Sequence, residues 1–273
     1  MKFVRAFFIA TLTAFVVGFW ATAPASARDT LADIKQRGKL VVGVKTDYKP
    51  FGFLDPSGKV VGIEPDLAAD VARRLGVTVE YVPVVAANRI QFLQQGRIDL
   101  MIATMTDTLE REGLVGIVKP NYYDSGADVL ARKGAGLNTW ADVRGKTLCG
   151  IQGAYYNKDV QDKYGATLQS FTGTAEALNA LQSGSCVGFV YDDTFNLPKL
   201  NDPQWSGYEC KLPSIEALPW GVAVEKSDDK FLAYMSDVVK DWHKSGLIMS
   251  LQKKYGLPVS EFAKRMNAEA NHK

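Results

Sequence analysis

Two oppositely charged residues stand at matching places in this chain. Arg111 closes the run Thr104-Met105-Thr106-Asp107-Thr108-Leu109-Glu110-Arg111, directly after the apolar stretch Leu100-Met101-Ile102-Ala103. Asp192 directly follows a second such stretch, Val187-Gly188-Phe189-Val190-Tyr191. Short apolar runs bounded by turn residues have the pattern of buried parallel strands. Ligands of open α/β sheets sit outside the carboxyl ends of such strands. A guanidinium at one strand end and a carboxylate at another suit a small zwitterion, and a free amino acid is one.

The elements that must position these charges follow in two rounds. Leu40–Val44 reads as a buried strand. Glu64–Leu75 reads as a helix with Leu67, Ala68, Val71, Ala72 and Leu75 on one face, stopped by Gly76. Val77–Val82 alternates as a strand, Asn88 and Gln91 have capping-box spacing, and Ile98–Ala103 is a third strand. Strands at Thr147–Ile151, Thr167–Phe171 and Val187–Tyr191, separated by helical stretches Asn157–Tyr164 and Thr174–Gln182, form a second βαβαβ unit. Asp193 is expected to cap the helix after the last of these. A late apolar segment, Trp220–Val224, precedes an amphipathic helix bearing Phe231, Met235, Val239 and Trp242. Two α/β units followed by a late strand and helices imply two lobes with a cleft between them.

Residues 1–27 read as a secretory signal peptide. Lys2 and Arg5 supply the basic region, Ala6–Phe19 the apolar core, and Ala25-Ser26-Ala27 an A-x-A site cut before Arg28. Lys2 and Arg5 are the only charged residues of that segment, so its removal takes the formal net charge of +2 to zero. A neutral chain with no basic stripe gives no basis for nucleic-acid binding. No later apolar run approaches a membrane span, so the processed chain is expected to be soluble. Cys149, Cys186 and Cys210 lack C-x-x-C spacing, and the histidines, His243 and His272, lie far downstream, so neither a metal site nor a cofactor is expected. If their strands are neighbours, Cys149 and Cys186 could form a disulfide in an exported protein; otherwise all three are buried thiols.

Gly62-Ile63-Glu64-Pro65-Asp66-Leu67, Asn88-Arg89-Ile90, Gly96-Arg97-Ile98-Asp99-Leu100 and Thr106-x-Thr108-x-Glu110-Arg111 resemble, in order and spacing, the family 3 periplasmic solute-binding proteins. These are the polar amino-acid receptors of bacterial ABC importers. Pro120-x-Tyr122-Tyr123, Gly150-Ile151-Gln152 and Tyr191-Asp192-Asp193 continue the match, which runs from about Leu31 to Leu257. The resemblance implies a two-lobed α/β fold of the type II periplasmic-binding-protein kind, with parallel-rich sheets, flanking helices and the ligand in the cleft. It implies lobe 1 over residues 28–128 and 221–273 and lobe 2 over 129–220, with crossings near Ala127–Arg132 and Trp220–Val224.

By the same resemblance Arg111 grips a ligand α-carboxylate, for which a guanidinium fork is suited, and Asp192 accepts the α-ammonium. Thr106 adds a hydroxyl and Thr104 a backbone group. Arg89 and Lys45 match places where acidic-ligand members carry basic residues; alternatively Arg89 is a solvated or lobe-bridging cation. Tyr48 and Phe51 would line the first-lobe wall, Phe51 alternatively belonging to the core. Gln152, Tyr155 and Tyr156 complete the candidate ligand set. Ala86 stands where relatives carry a stacking aromatic, and Tyr155-Tyr156 replace small hydroxyl residues. Gly62, Glu64, Pro65 and Asp66 read as scaffold. The implied protein is a periplasmic, monomeric receptor that closes on an amino acid, acidic by the count of cations, and delivers it to membrane permease subunits. The alternative is an enzyme resembling cyclohexadienyl dehydratase, acting on prephenate or arogenate.

Overall fold

The computed structural model describes residues 29–272. The signal-peptide segment 1–27 lies outside the described residues. The protein is a two-lobed α/β fold built on two mixed sheets. In the five-stranded sheet the order is Thr78–Pro83, Lys39–Val44, Leu100–Met101, Ala223–Val224, Gly116–Ile117. The first three run parallel, and Ala223–Val224 pairs antiparallel with both its neighbours. In the second sheet Thr167–Phe171, Thr147–Ile151 and Gly188–Asp192 are parallel, and Gly188–Asp192 lies antiparallel to the long strand Tyr123–Arg132. Tyr208–Cys210 and Ile215–Trp220 also pair with that long strand.

Both rounds of strand and helix inferred from the sequence are therefore present, with local differences. The expected strand Ile98–Ala103 keeps regular pairing only at Leu100–Met101. The ladder is bracketed by Asp99 N–H to Val41 C=O at 2.8 Å and Ile102 N–H to Gly43 C=O at 3.0 Å. Asn88 does not form the expected capping box. It already has helical backbone angles, and its Oδ1 instead accepts Val85 N–H at 2.9 Å. Asp193 is not the cap of its helix, Asp193–Lys199; Asp192 holds that position, and the Asp193 carboxylate takes the hydroxyls of Ser125 and Ser214 at 2.8 and 2.9 Å.

The helix Ile63–Leu75 buries Leu67, Ala68, Val71 and Ala72 against the first sheet, and its entry requires Gly62. That glycine has φ +137°, and a Cβ there would meet the Phe51 carbonyl oxygen at 2.3 Å. The opposite face of the sheet is covered by a separate cluster including Val84, Leu93, Ile98, Met101, Met105 and Ala223.

The chain leaves the first sheet after Ile117 and enters the second at Tyr123, upstream of Ala127–Arg132, which lies within the second sheet. It returns between Trp220 and Ala223. Phe51 and Tyr123 pack edge to face around Trp220, whose side chain is fully buried, so an aromatic knot joins the lobes beside the crossings. The Cys149–Cys186 disulfide is formed, with Cα atoms 5.6 Å apart, because Thr147–Ile151 and Gly188–Asp192 are neighbours in the second sheet. Cys210 is unpaired and half-buried. Among the described residues no helix is long and apolar enough to cross a membrane, and no group of side chains is arranged to hold a metal ion.

Candidate functional site

Arg111 and Asp192 come together across the cleft. Asp192 ends the strand Gly188–Asp192 of the second sheet. Arg111 sits on the short helix Leu109–Glu112, whose start is fixed by Thr108 Oγ1 accepting Arg111 N–H at 3.3 Å. They line one small, narrow cavity, with Ala86, Arg89, Thr104 and Thr106 from the first lobe and Ala154, Tyr155 and Tyr191 from the second. The cavity lies beyond the carboxyl ends of strands from both sheets.

Each charge is partly served by the protein. Arg111 donates Nη1 to Thr106 C=O at 2.8 Å and Nη2 to Gly153 C=O, in the opposite lobe, at 2.9 Å. Burial, with the Arg89 charge beside it, lowers its pKa to about 10. Asp192 accepts the Tyr48 hydroxyl at 3.0 Å and the Tyr156 hydroxyl at 3.1 Å. Burial raises its pKa to about 6 against the pull of those hydroxyls and of Arg89. Arg89 is buried, and its Nη1 donates to the Ala103 carbonyl. Arg89 is therefore not a solvated cation.

The remaining candidates divide. Thr106 and Tyr155 line the cavity, as does Thr104, although the Thr104 N–H is engaged by Glu64 and Tyr122. Tyr48 and Tyr156 do not line the cavity themselves but bond to Asp192, which does. Phe51 packs into the aromatic knot rather than the cavity wall. Gln152 is exposed. Lys45 does not line the cavity either. Its buried ammonium lies 3.0 Å from Asp47 Oδ1, and Asp47 in turn accepts Thr174 N–H from the other lobe at 3.0 Å. Burial in a low-dielectric site draws Lys45 to the carboxylate rather than to the cavity.

Two features escaped the sequence. Tyr191 lines the cavity although its alternating place in an apolar strand reads as core. Glu64, read as scaffold, is fully buried beneath the site, and burial raises its pKa to about 7 despite bonds from Tyr122 and Thr104. An acidic residue in a first helical turn carries no sequence mark that separates helix stabilisation from such a bond.

Residues 40–258 match the model of the bacterial extracellular solute-binding proteins, family 3. The chain belongs to that family. It is 28% identical over 236 residues to the ABC transporter glutamine-binding protein GlnH of Bacillus subtilis, covering 84% of this chain and 85% of the relative. It is 28% identical to the glutamate/aspartate import solute-binding protein of Salmonella typhimurium, covering 82% and 78%. A crystal structure of the P235GK mutant of ArgBP from T. maritima superimposes with a TM-score of 0.78 at 29% identity, covering 83% of this chain and 98% of that one. These curated relatives are binding components of amino-acid ABC transporters rather than enzymes.

Proposed function

We propose that this protein is the periplasmic receptor of an ABC importer for acidic amino acids such as glutamate or aspartate. Residues 1–27 are removed on export. The receptor acts as a monomer and delivers its ligand to membrane permease subunits. One lobe carries the first sheet and the C-terminal helices, the other the second sheet from Tyr123 to Trp220, and they close about a hinge when both contact the ligand. Arg111 takes the α-carboxylate and Asp192 the α-ammonium.

The observation that carries the reading is the charge lining one cavity: two guanidiniums, Arg89 and Arg111, against one carboxylate, Asp192. A zwitterion satisfies one cation and the anion; the second cation calls for one more carboxylate on the ligand. Relatives named for glutamine, for glutamate and aspartate, and for arginine share this framework, so ligand choice rests on the cavity's own side chains.

A thermal-shift screen of the proteinogenic amino acids and prephenate tests this. Glutamate or aspartate is expected to stabilise most, by about 2.7 kcal/mol at a hundred times its dissociation constant. Stabilisation by neutral or basic amino acids alone would remove the acidic assignment. Silence with every amino acid, together with turnover of prephenate, would replace a receptor by an enzyme.

A further inference from the structure

Thr104 has φ +49°, the only positive φ at a non-glycine among the described residues. Left-handed backbone is costly for any side chain, and for a β-branched one it is an outlier that surrounding structure must enforce. The enforcing groups can be named. The peptide joining Ala103 to Thr104 is held at both ends by buried charges. Its carbonyl oxygen accepts Arg89 Nη1, and its N–H donates to Glu64 Oε1 at 2.6 Å. Tyr122 completes the grip: its hydroxyl donates to the same Glu64 oxygen at 2.5 Å and lies 3.2 Å from Thr104 N. Glu64 and Arg89 are 0% and 3% exposed, and neither carries its charge to solvent.

We propose that Glu64 and Arg89 are positioning residues, a two-sided clamp on the Ala103–Thr104 peptide that holds Thr104 in its left-handed conformation and so aims it into the amino-acid cavity. The proposal rests on the receptor reading of that cavity. With its N–H committed to Glu64, Thr104 offers a ligand its carbonyl and hydroxyl, both acceptors suited to an ammonium. The peptide dipole lies between a guanidinium at its oxygen and a carboxyl oxygen at its hydrogen, so it is held from both ends. Arg89 thus has two duties, one nitrogen holding the floor of the cavity while the guanidinium lines it. Glu64 has one duty and touches no ligand.

The test separates positioning from ligand contact by relieving the strain. Glycine adopts the left-handed conformation unaided, so Thr104→Gly makes the clamp dispensable. Calorimetry is run with L-glutamate, L-glutamine and L-arginine as probes on the wild type, Glu64→Ala, Glu64→Gln, Thr104→Gly and the two Glu64 variants combined with Thr104→Gly. The tightest probe is expected to bind Glu64→Ala at least tenfold more weakly, with Glu64→Gln, which keeps an acceptor oxygen, in between. In the Thr104→Gly background the cost of either Glu64 change is expected to shrink at least threefold. Equal costs in both backgrounds, or a Glu64→Ala loss under twofold, overturn the clamp; if Glu64→Ala does not fold, the comparison is read from Glu64→Gln.

Hydrogen exchange at the Thr104 amide gives a readout that needs no ligand. Exchange at least tenfold faster in Glu64→Ala or, if that variant does not fold, measurably faster in Glu64→Gln is expected; wild-type protection in the folded variant overturns the clamp. If the wild type binds none of the probes, the receptor reading fails and the aiming role fails with it, while amide exchange still reports the clamp itself.

Discussion

Two guanidinium–carboxylate pairs lie close together in this molecule, and they are built in opposite ways. Arg111 and Asp192 belong to different lobes and face each other across a cavity. Arg89 and Glu64 belong to the same lobe and face each other across a peptide bond. In the first pair the space between the charges is the proposed amino-acid site, and each lobe contributes one of the two charges. In the second pair the space is filled by the chain's own backbone, and the charges act on conformation. Like residue types thus serve binding or positioning according to what separates them.

The comparison is broken most sharply at the cross-lobe pair. Asp192→Ala or Arg111→Ala is expected to cost about 3–5 kcal/mol of binding, since the partner charge is left desolvated and unpaired. Calorimetry on the folded variants should find no measurable binding, and affinity within a few-fold of wild type would contradict the pairing. Arg89→Met should cost an acidic ligand a comparable amount, since both the cation assigned to its side-chain carboxylate and the charged hydrogen bond to Ala103 C=O are lost.

The two carboxylates also differ in what protons do to them. Asp192 is raised to about 6 and Glu64 to about 7 by burial, from ordinary values of 3.8 and 4.5. A raised acid favours the folded state below its unfolded pKa, and that contribution is lost as pH rises through the folded pKa. The ligand-free protein should therefore lose stability between about pH 4 and pH 7 from these groups. Glu64→Gln should flatten part of that loss in a pH series of melting curves. Ligand affinity runs the other way. An ionised Asp192 is needed to accept an ammonium, so affinity should fall by up to about tenfold per pH unit below pH 6. The smallest expected effect is that of Tyr156→Phe. Losing its bond to Asp192 should weaken binding by about 0.5–1.5 kcal/mol and move the pH midpoint upward.

Much of this was legible in the chain. The apolar runs that end at Ala103 and Tyr191 pointed to the strand ends beyond which Arg111 and Asp192 line one cavity, because the carboxyl ends of buried strands are where such folds expose side chains. The sequence offered the Cys149–Cys186 disulfide only on condition that their strands were neighbours, and the second sheet meets that condition. The unread parts share a cause, which is that a side chain's direction depends on partners far away in sequence. Lys45 stands at a strand end, yet its ammonium turns to Asp47. Asn88 has capping spacing, yet its amide turns back to Val85. Phe51 reads equally as cavity wall or core until Trp220 packs on it. Thr104 gives no warning of its left-handed backbone, since glycine or asparagine is the usual sign and the enforcing Glu64 lies in another element.

The central claim is that this cavity recognises both charges of a free α-amino acid, one from each lobe. Calorimetric titration of the wild type with L-glutamate, N-acetyl-L-glutamate and L-glutamic acid α-amide tests it most directly. Saturable binding of L-glutamate, with loss of at least about a hundredfold for each blocked analogue, is the expected result, in line with the cost of stranding Asp192 or Arg111. Binding of the N-acetyl compound within a few-fold of L-glutamate would contradict it.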